Sequence, residues 1–306
     1  MGDRASEKSG VFERPARSIP AVVMAGDRGA AKAVAGRSKP YLEVAGRPLV
    51  CHAVAVLQDV PEVSEVWVVG DVEKLEAALA GIARDLAKPL CVVPQFRNLF
   101  ENAWKTYRRA LPGAGPEGRD PTEDEARAPY LYLSADIPFA VPQEISAFIA
   151  NSLDADCDYA LGLSEARVLA AFGEDEPAFQ TAYFNLREGR FRQNNLHLVK
   201  PARIGRRQLI GEMYEHRYQR ELGHALSLAW QTLRREGGGL AVLYYYALMH
   251  VAGWFDRRGL TRAADRLRRG VSLPRVEGCI SRLLATDFRF VVTEMGGCAI
   301  DIDNRE

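Results

Sequence analysis

The sequence lacks an excess of charge of either sign, because 40 lysines and arginines balance 40 aspartates and glutamates. Proteins held on nucleic acid by bulk electrostatics carry a net positive charge, so we expect no nucleic-acid partner. The five cysteines form no C-x-x-C pair, and none stands at metal-ligand spacing from a histidine, which argues against a disulfide framework and a zinc site. Residues 1–17 lack the apolar core of a secretory signal, so we expect a cytoplasmic protein with reduced thiols.

Long uncharged stretches are also scarce. Residues 237–255 contain no Asp, Glu, Lys or Arg, and the apolar part of this stretch, 240–255, has 16 residues. A membrane-spanning helix needs about 20 apolar residues, so we interpret the stretch as a buried helix. A membrane-surface helix or a dimer contact remains as an alternative.

Short apolar runs bounded by turn residues are present, and they are typical of buried parallel strands. They lie at 19–24, 65–69, 90–93 and 130–133, and helical patterns lie between them at 49–57, 72–87 and 98–111. The alternation predicts an α/β fold with a Rossmann-like, mostly parallel central sheet that carries helices on both faces. Phosphate and substrate sites in such sheets gather at the carboxyl ends of the strands.

The chain divides by composition into four expected parts. These are a disordered leader at 1–17, an α/β core at 18–202, a helical insertion at 203–285 and final strands at 286–306 that return to the core. Within the core, residues 112–129 are rich in Pro and Gly and predict a flexible loop. A helix is expected at 143–151, strands at 159–163, 182–186, 190–192 and 196–199, and the last strands at 288–293 and 298–302.

Two neighbouring motifs fit a phosphate site. The sequence AGDRG at 25–29 follows the first strand, and glycines let a backbone turn tightly and direct its N–H groups at phosphate oxygens. Arg28 suits such a pocket, whereas Asp27 has the wrong charge for it. Lys39, just before Pro40, could reach a phosphate as a point charge. Each motif alone is compatible with an ordinary turn and a solvated lysine.

Carboxylates at two places could hold a cation. Asp136 follows the strand at 130–133, and a carboxylate at that edge suits Mg²⁺, although a turn or helix-cap role is the alternative. Asp301 and Asp303 would share one face of a strand, and two adjacent carboxylates favour a cation between them. A solvated chain end is the alternative there.

Taken in order, the motifs AGDRG (25–29), KPYLEVAGRPLV (39–50), SADIPF (134–139) and DIDN (301–304) resemble those of a known enzyme group. They are similar to the molybdenum-cofactor guanylyltransferase-like nucleotidyltransferases and the sugar-1-phosphate nucleotidyltransferases, a GT-A-like superfamily. The resemblance covers 19–163 and returns at 288–304. It implies Mg²⁺-dependent transfer of NMP from an NTP to a sugar, polyol or cofactor phosphate, with release of pyrophosphate.

The resemblance also implies roles for individual residues. Lys39, with Arg28, would neutralise charge on the α-phosphate, and Asp136 with Asp303 or Asp301 would hold Mg²⁺ or Mn²⁺. The helix at 101–111 resembles one that positions the base. The implied nucleotide-binding residues are Ala25, Gly26, Asp27, Gly29, Arg37 and Asn102, and the implied acceptor-binding residues, in a turn, are Asn194 and Asn195.

The opening motif departs from the family pattern. Asp27 stands where a second glycine is expected, and Ala31 stands where an arginine is expected. A non-catalytic NTP-binding regulatory relative is therefore one alternative, and a glycosyltransferase that uses a nucleotide sugar, with the D-x-D at 301–303, is another. The helical residues 203–285 could form a lid, a dimer contact or a membrane-surface contact.

Overall fold

A computed structural model describes residues 18–27, 38–173, 183–210, 244–245, 247–248, 251–255 and 258–302. In this part of the chain, one sheet of eight strands and a separate two-stranded hairpin account for all β-structure. The strands of the large sheet are β1 (Ile19–Ala25), β4 (Val63–Gly70), β5 (Leu90–Pro94), β6 (Tyr130–Ser134), β7 (Tyr159–Glu165), β8 (Phe184–Asn185), β9 (Arg190–Val199) and β10 (Phe288–Thr293). The hairpin pairs β2 (Glu43–Val44) with β3 (Arg47–Pro48).

The strand order of the large sheet is β10-β7-β9-β6-β1-β4-β5, and the short strand β8 pairs with β9. β1 runs parallel to β4 and β6, β4 runs parallel to β5, and β10 runs parallel to β7. β9 is antiparallel to β6, β7 and β8. The predicted mostly parallel sheet is therefore confirmed.

Helices connect the strands and cover the sheet. They are α1 (Leu49–Gln58), α2 (Val72–Leu79), α3 (Leu99–Arg109), α4 (Pro142–Asp154), α5 (Ala166–Leu169), α6 (Thr261–Arg268) and α7 (Leu273–Leu284). Successive side chains of a strand point to opposite faces of the sheet. Val23 of β1 accordingly packs with α1 and α4, whereas Val22 packs with Tyr107 of α3. Both faces of β1 are thus buried, as the continuous apolar run predicts.

Three local predictions are wrong. The strands expected at 190–192 and 196–199 form one continuous strand, β9. Residues 298–302 form no strand; the 3-10 turn Gly297–Ala299 stands there, because the Cys298 N–H donates to a side chain of α4 rather than to a strand. The helix expected at 72–87 ends at Leu79, and turns follow it.

The loop at 112–129 has more internal structure than its composition predicts. It contains the 3-10 helix Glu125–Arg127. Arg119 donates to the Pro112 carbonyl and pairs with the Glu125 carboxylate at 2.5 Å. The hydrogen bond from Arg119 lowers the pKa of Glu125 to about 2. These contacts join the start of the loop to its end.

The described part of residues 203–285 is mainly helical, with α6 and α7 as its longest elements. The uncharged stretch at 237–255 is described only in part, and its described residues 244–245, 247–248 and 251–255 are helical. Among all described helices, none combines the length and the apolar character that crossing a membrane requires.

Candidate active site

The loop after β1 is built around Gly26. A Cβ at this position would lie 2.9 Å from Asn102 Nδ2 and 3.4 Å from Gln95 Oε1. Any side chain at position 26 would therefore have to displace the Asn102 amide. Ala25 ends β1 and is fully buried. The structure thus brings together Ala25, Gly26 and Asn102, which the sequence predicted as neighbours in one nucleotide site.

Asp27 is held by three side chains from separate parts of the chain. Its Oδ2 accepts hydrogen bonds from Lys74 Nζ at 2.7 Å and from Ser38 Oγ at 3.3 Å. Gln95 makes two further bonds: its Nε2 donates to Asp27 Oδ1 at 2.7 Å, and its Oε1 accepts from the Asp27 N–H at 2.9 Å. Burial alone would raise the pKa of Asp27, but the bonds from Lys74 and Gln95 hold it below its ordinary value.

Asn102 holds the turn that follows β5. It lies on α3, is buried, and its Oδ1 accepts a hydrogen bond from the Phe96 N–H at 2.6 Å. Asn98 caps the start of the same helix, because its Oδ1 accepts from the Glu101 N–H at 2.9 Å. The helix start and the turn are thereby fixed beside Gly26.

Sequence reasoning missed Gln95 and Lys74. Gln95 directly follows β5 at the carboxyl edge, so the end-of-strand rule that selected Asp136 could also have selected it. Lys74 had no such signal. It lies 47 positions from Asp27 in the chain, on the first turn of a surface helix, where a lysine is ordinarily solvated.

Lys39 and Asp136 meet across the same edge. Lys39 begins the 3-10 turn Lys39–Tyr41, in which Pro40 is buried. Its Nζ lies 3.6 Å from Asp136 Oδ2. The Ser134 hydroxyl, at the end of β6, also hydrogen-bonds to the Asp136 carboxylate. The two residues on which the sequence placed phosphate and metal chemistry are therefore an ion pair in the structure.

The last described residues lie against Asp136. The Ile302 N–H donates to the Asp136 carbonyl oxygen at 3.3 Å. One residue earlier, Asp301 Oδ1 accepts from Arg192 Nη2 of β9 at 2.9 Å. Residues 301 and 302 therefore lie beside the predicted metal ligand, and Asp301 is paired with a cation there.

A magnesium ion fits this edge of the sheet. Mg²⁺ prefers oxygen ligands, and one or two protein carboxylates with substrate phosphates are its usual set. The Asp136 carboxylate, which follows β6, offers oxygen atoms at this edge. Among the described residues no group of three or more His, Cys, Asp or Glu side chains forms a metal cluster, so the protein part offers no closed cage.

A buried turn carries the chain towards Asp301. The turn Gly297–Ala299 is fixed at Cys298, whose N–H donates to Glu144 Oε2 at 3.0 Å and whose carbonyl accepts from Asn195 Nδ2 at 3.0 Å. Thr293 Oγ1 donates to Glu144 Oε1 at 3.2 Å. Glu144 lies on α4 and is almost completely buried. Burial raises the pKa of its carboxyl, although the Cys298 N–H lowers it in part.

The prediction that Asn194 and Asn195 occupy a turn is wrong, because both lie within β9. Asn194 is fully buried, and its Nδ2 donates to Ser164 Oγ at 3.4 Å and to Thr293 Oγ1 at 3.3 Å. A side chain without exposed surface cannot contact an acceptor, so Asn194 is removed from the candidate site. Asn195 is half-buried, and its Nδ2 donates to the Cys298 carbonyl.

Four predicted site residues lie outside the described part of the chain. Arg28, Gly29 and Arg37 belong to the stretch 28–37, and Asp303 belongs to 303–306. Their roles stay predictions from the sequence.

The family model of the MobA-like NTP transferase domain matches residues 21–229, which is more than half of the chain. The chain therefore belongs to the MobA-like NTP transferase family. It is a nucleotidyltransferase enzyme that uses an NTP, as the motif order predicted. No curated protein is significantly similar to the chain.

Three solved structures are similar to the chain to different degrees. A hypothetical transferase from Thermus thermophilus is 21% identical, with a TM-score of 0.55, over 94% of this chain and 97% of that one. A CMP-2-keto-3-deoxy-manno-octonic acid synthetase complexed with CTP is 13% identical, with a TM-score of 0.42, over 69% of this chain and 86% of that one. A 4-diphosphocytidyl-2C-methyl-D-erythritol synthase from Anaerococcus prevotii is 13% identical, with a TM-score of 0.44, over 94% of this chain and 90% of that one. The first of these supports the predicted α/β fold, and at this identity it supports nothing more.

Proposed function

We propose that this enzyme transfers the NMP part of an NTP to a phosphorylated small molecule and releases pyrophosphate. The observation that carries this proposal is the pair formed by Lys39 Nζ and Asp136 Oδ2, 3.6 Å apart beside the Gly26 loop. A cation that would contact phosphate thus stands next to a carboxylate that would bind a metal, and this supports the proposal. Sites in open α/β sheets lie at the carboxyl edge of the strands.

In the proposed reaction, a phosphate oxygen of the acceptor attacks the α-phosphorus of the NTP. A new P–O bond forms, the bond from the α-phosphorus to the oxygen that bridges to the β-phosphorus breaks, and pyrophosphate leaves with that electron pair. Such a transfer needs positioning and positive charge rather than covalent help from the protein. Lys39 supplies positive charge at the α-phosphate, and the loop at Gly26 would lie beside the nucleotide.

Asp136, with Asp301 or Asp303, would hold Mg²⁺ or Mn²⁺. When bound, the metal ion neutralises negative charge that develops on the phosphate oxygens. Asp301 is paired with Arg192, so the second carboxylate would have to exchange that partner or be supplied by Asp303.

Asn102 packs against Gly26 and would contact the base. Asn195, half-buried in the middle of β9, is the candidate acceptor contact. The acceptor class stays a sugar, polyol or cofactor phosphate. Residues 203–285 would form a lid, a dimer contact or a membrane-surface contact of an otherwise cytoplasmic enzyme.

The proposal is tested by pyrophosphate release with Mg²⁺. Each of the four NTPs is offered with pooled sugar-1-phosphates, polyol phosphates and molybdopterin-type acceptors. We expect pyrophosphate release with a preferred NTP. Asp136→Asn should lower kcat/KM by at least about 100-fold, because the metal ion beside the reacting phosphates would lose a charged ligand.

Asp158→Asn is the matched control. Asp158 precedes β7 at the opposite edge of the sheet and pairs with Arg203, so its loss should leave the rate unchanged. If the wild-type chain released no pyrophosphate from any NTP over the whole panel, the proposed reaction would be wrong.

A further inference from the structure

Asp27 is an anion placed where an anionic substrate has to bind. It follows Gly26 directly, and its side chain is only 7% exposed. Its pKa lies below the ordinary value, so it is ionised at neutral pH. A triphosphate carries several negative charges, and a like charge nearby disfavours its binding.

The backbone of Asp27 is also committed. Its N–H donates to Gln95 Oε1 at 2.9 Å, so this N–H is not directed at a phosphate. The Gln95 amide faces Asp27 with both of its polar atoms. The position therefore presents a fixed negative side chain and offers no phosphate-binding donor of its own.

Lys74 cancels this charge from another element. Its Nζ lies 2.7 Å from Asp27 Oδ2 and 3.3 Å from Asp71 Oδ2. Asp71 caps the start of α2, and its Oδ1 accepts from the Lys74 N–H at 3.4 Å. The helix start therefore fixes the lysine backbone, while the ammonium reaches the loop after β1. The Lys74 side chain is 53% exposed, and ion pairs with an exposed member contribute little to folding stability.

We propose that Lys74 is a charge-compensating residue that lets the loop at Asp27 accept an NTP. The inference rests on the proposed function, since it needs an NTP bound beside Gly26. Lys74 acts through Asp27: its charge offsets that of the carboxylate and holds the carboxylate towards α2 and Gln95. Removing the lysine leaves an uncompensated anion at the phosphates, and removing both charges restores the site.

The test compares Lys74→Met, Asp27→Asn and the double variant Asp27→Asn/Lys74→Met. Methionine keeps the length of the lysine stem, and asparagine keeps an oxygen for Gln95. The dissociation constant of the preferred NTP is measured by equilibrium dialysis with each purified full chain. We expect Lys74→Met to weaken binding about tenfold, as one partly screened unit charge implies. The double variant is expected within about twofold of wild type.

Lys200→Met is the matched control, because Lys200 also lies between two aspartates, Asp156 and Asp158, at 3.7 Å from each. It stands at the opposite edge of the sheet, and its replacement should leave NTP binding unchanged. Unchanged binding in Lys74→Met would overturn the inference. Equally weak binding in the single and double variants would overturn it too, because Lys74 would then contact the nucleotide directly. Wild-type protein that binds no NTP would instead remove the proposed function, and the inference with it.

Discussion

The two sides of the candidate site are held in different ways. The loop side, made of Asp27, Lys74 and Gln95, relies on charged and polar side chains, one of which is largely exposed. The turn side, made of the turn Gly297–Ala299 with Glu144, relies on hydrogen bonds between buried groups and on close backbone packing. The loop side is therefore balanced by charge, while the segment that leads to Asp301 is fixed by packing.

Because the two sides are held differently, substitutions on them should affect folding stability and NTP binding separately. Changes on the turn side should lower the free energy of unfolding, because buried groups lose their partners. Changes on the loop side should alter NTP binding and leave folding nearly unchanged, because exposed ion pairs contribute little to stability. The predictions below test this separation in order of expected size.

Gly297→Ala should have the largest effect on stability. A Cβ at this position would lie 2.0 Å from the Phe139 carbonyl oxygen and 2.7 Å from its carbon. Backbone atoms of the loop after Asp136 would have to move, so we expect a loss of about 3 kcal/mol in urea unfolding. The matched control is Gly278→Ala in α7, where the nearest atom to an added Cβ is Arg282 Nη1 at 3.6 Å. It should be neutral or slightly stabilising. Equal losses in both variants would show that the turn is not tightly packed.

Glu144→Ala should cost about 2 kcal/mol, because it leaves the buried Cys298 N–H without its partner. Ser152→Ala is the control, since Ser152 is also buried on α4 but its hydroxyl bonds within the helix, to the Phe148 carbonyl. A loss in Glu144→Ala no larger than that in Ser152→Ala would contradict the role of Glu144 on the turn side.

Glu144→Gln extends the same experiment to pH. Burial raises the pKa of Glu144 in the folded chain, so the folded state retains this proton more readily than the unfolded state does. Wild-type stability relative to Glu144→Gln should therefore fall as pH rises from about 4 through the raised pKa. Urea unfolding of both proteins at several pH values measures this difference. A constant difference over the range would show that Glu144 titrates as it does in the unfolded chain.

The sequence predicted much of the carboxyl edge. β10 has the bounds that its apolar run predicts. β1 ends one residue later than its own run predicts, at Ala25. Asp136 and Lys39 were singled out separately, and the structure joins them. The strand predictions are confirmed because short apolar runs bounded by turn residues fix strands locally. Lys39 and Asp136 meet because strand ends in a parallel sheet share one edge.

The contacts that fix both sides could not be predicted in this way. Lys74 meets Asp27 from 47 positions away, and Glu144 meets Cys298 from 154 positions away. Neither pair has a local pattern, since each depends on how whole elements pack. The same limit explains the wrong assignment of Asn194, whose side chain faces the core only because β9 continues through a predicted turn.

Lys74→Met should have the smallest effect on stability, below about 1 kcal/mol in urea unfolding without nucleotide, because the ammonium of Lys74 is largely in solvent. Asp27 keeps its bonds to Gln95 and Ser38 in this variant, so its carboxylate stays partnered. Combined with the expected tenfold loss of NTP binding, this outcome would separate binding from folding on the loop side. A loss as large as that of Glu144→Ala would show instead that Lys74 supports the fold, and the contrast between the two sides would then rest on the depth of burial alone.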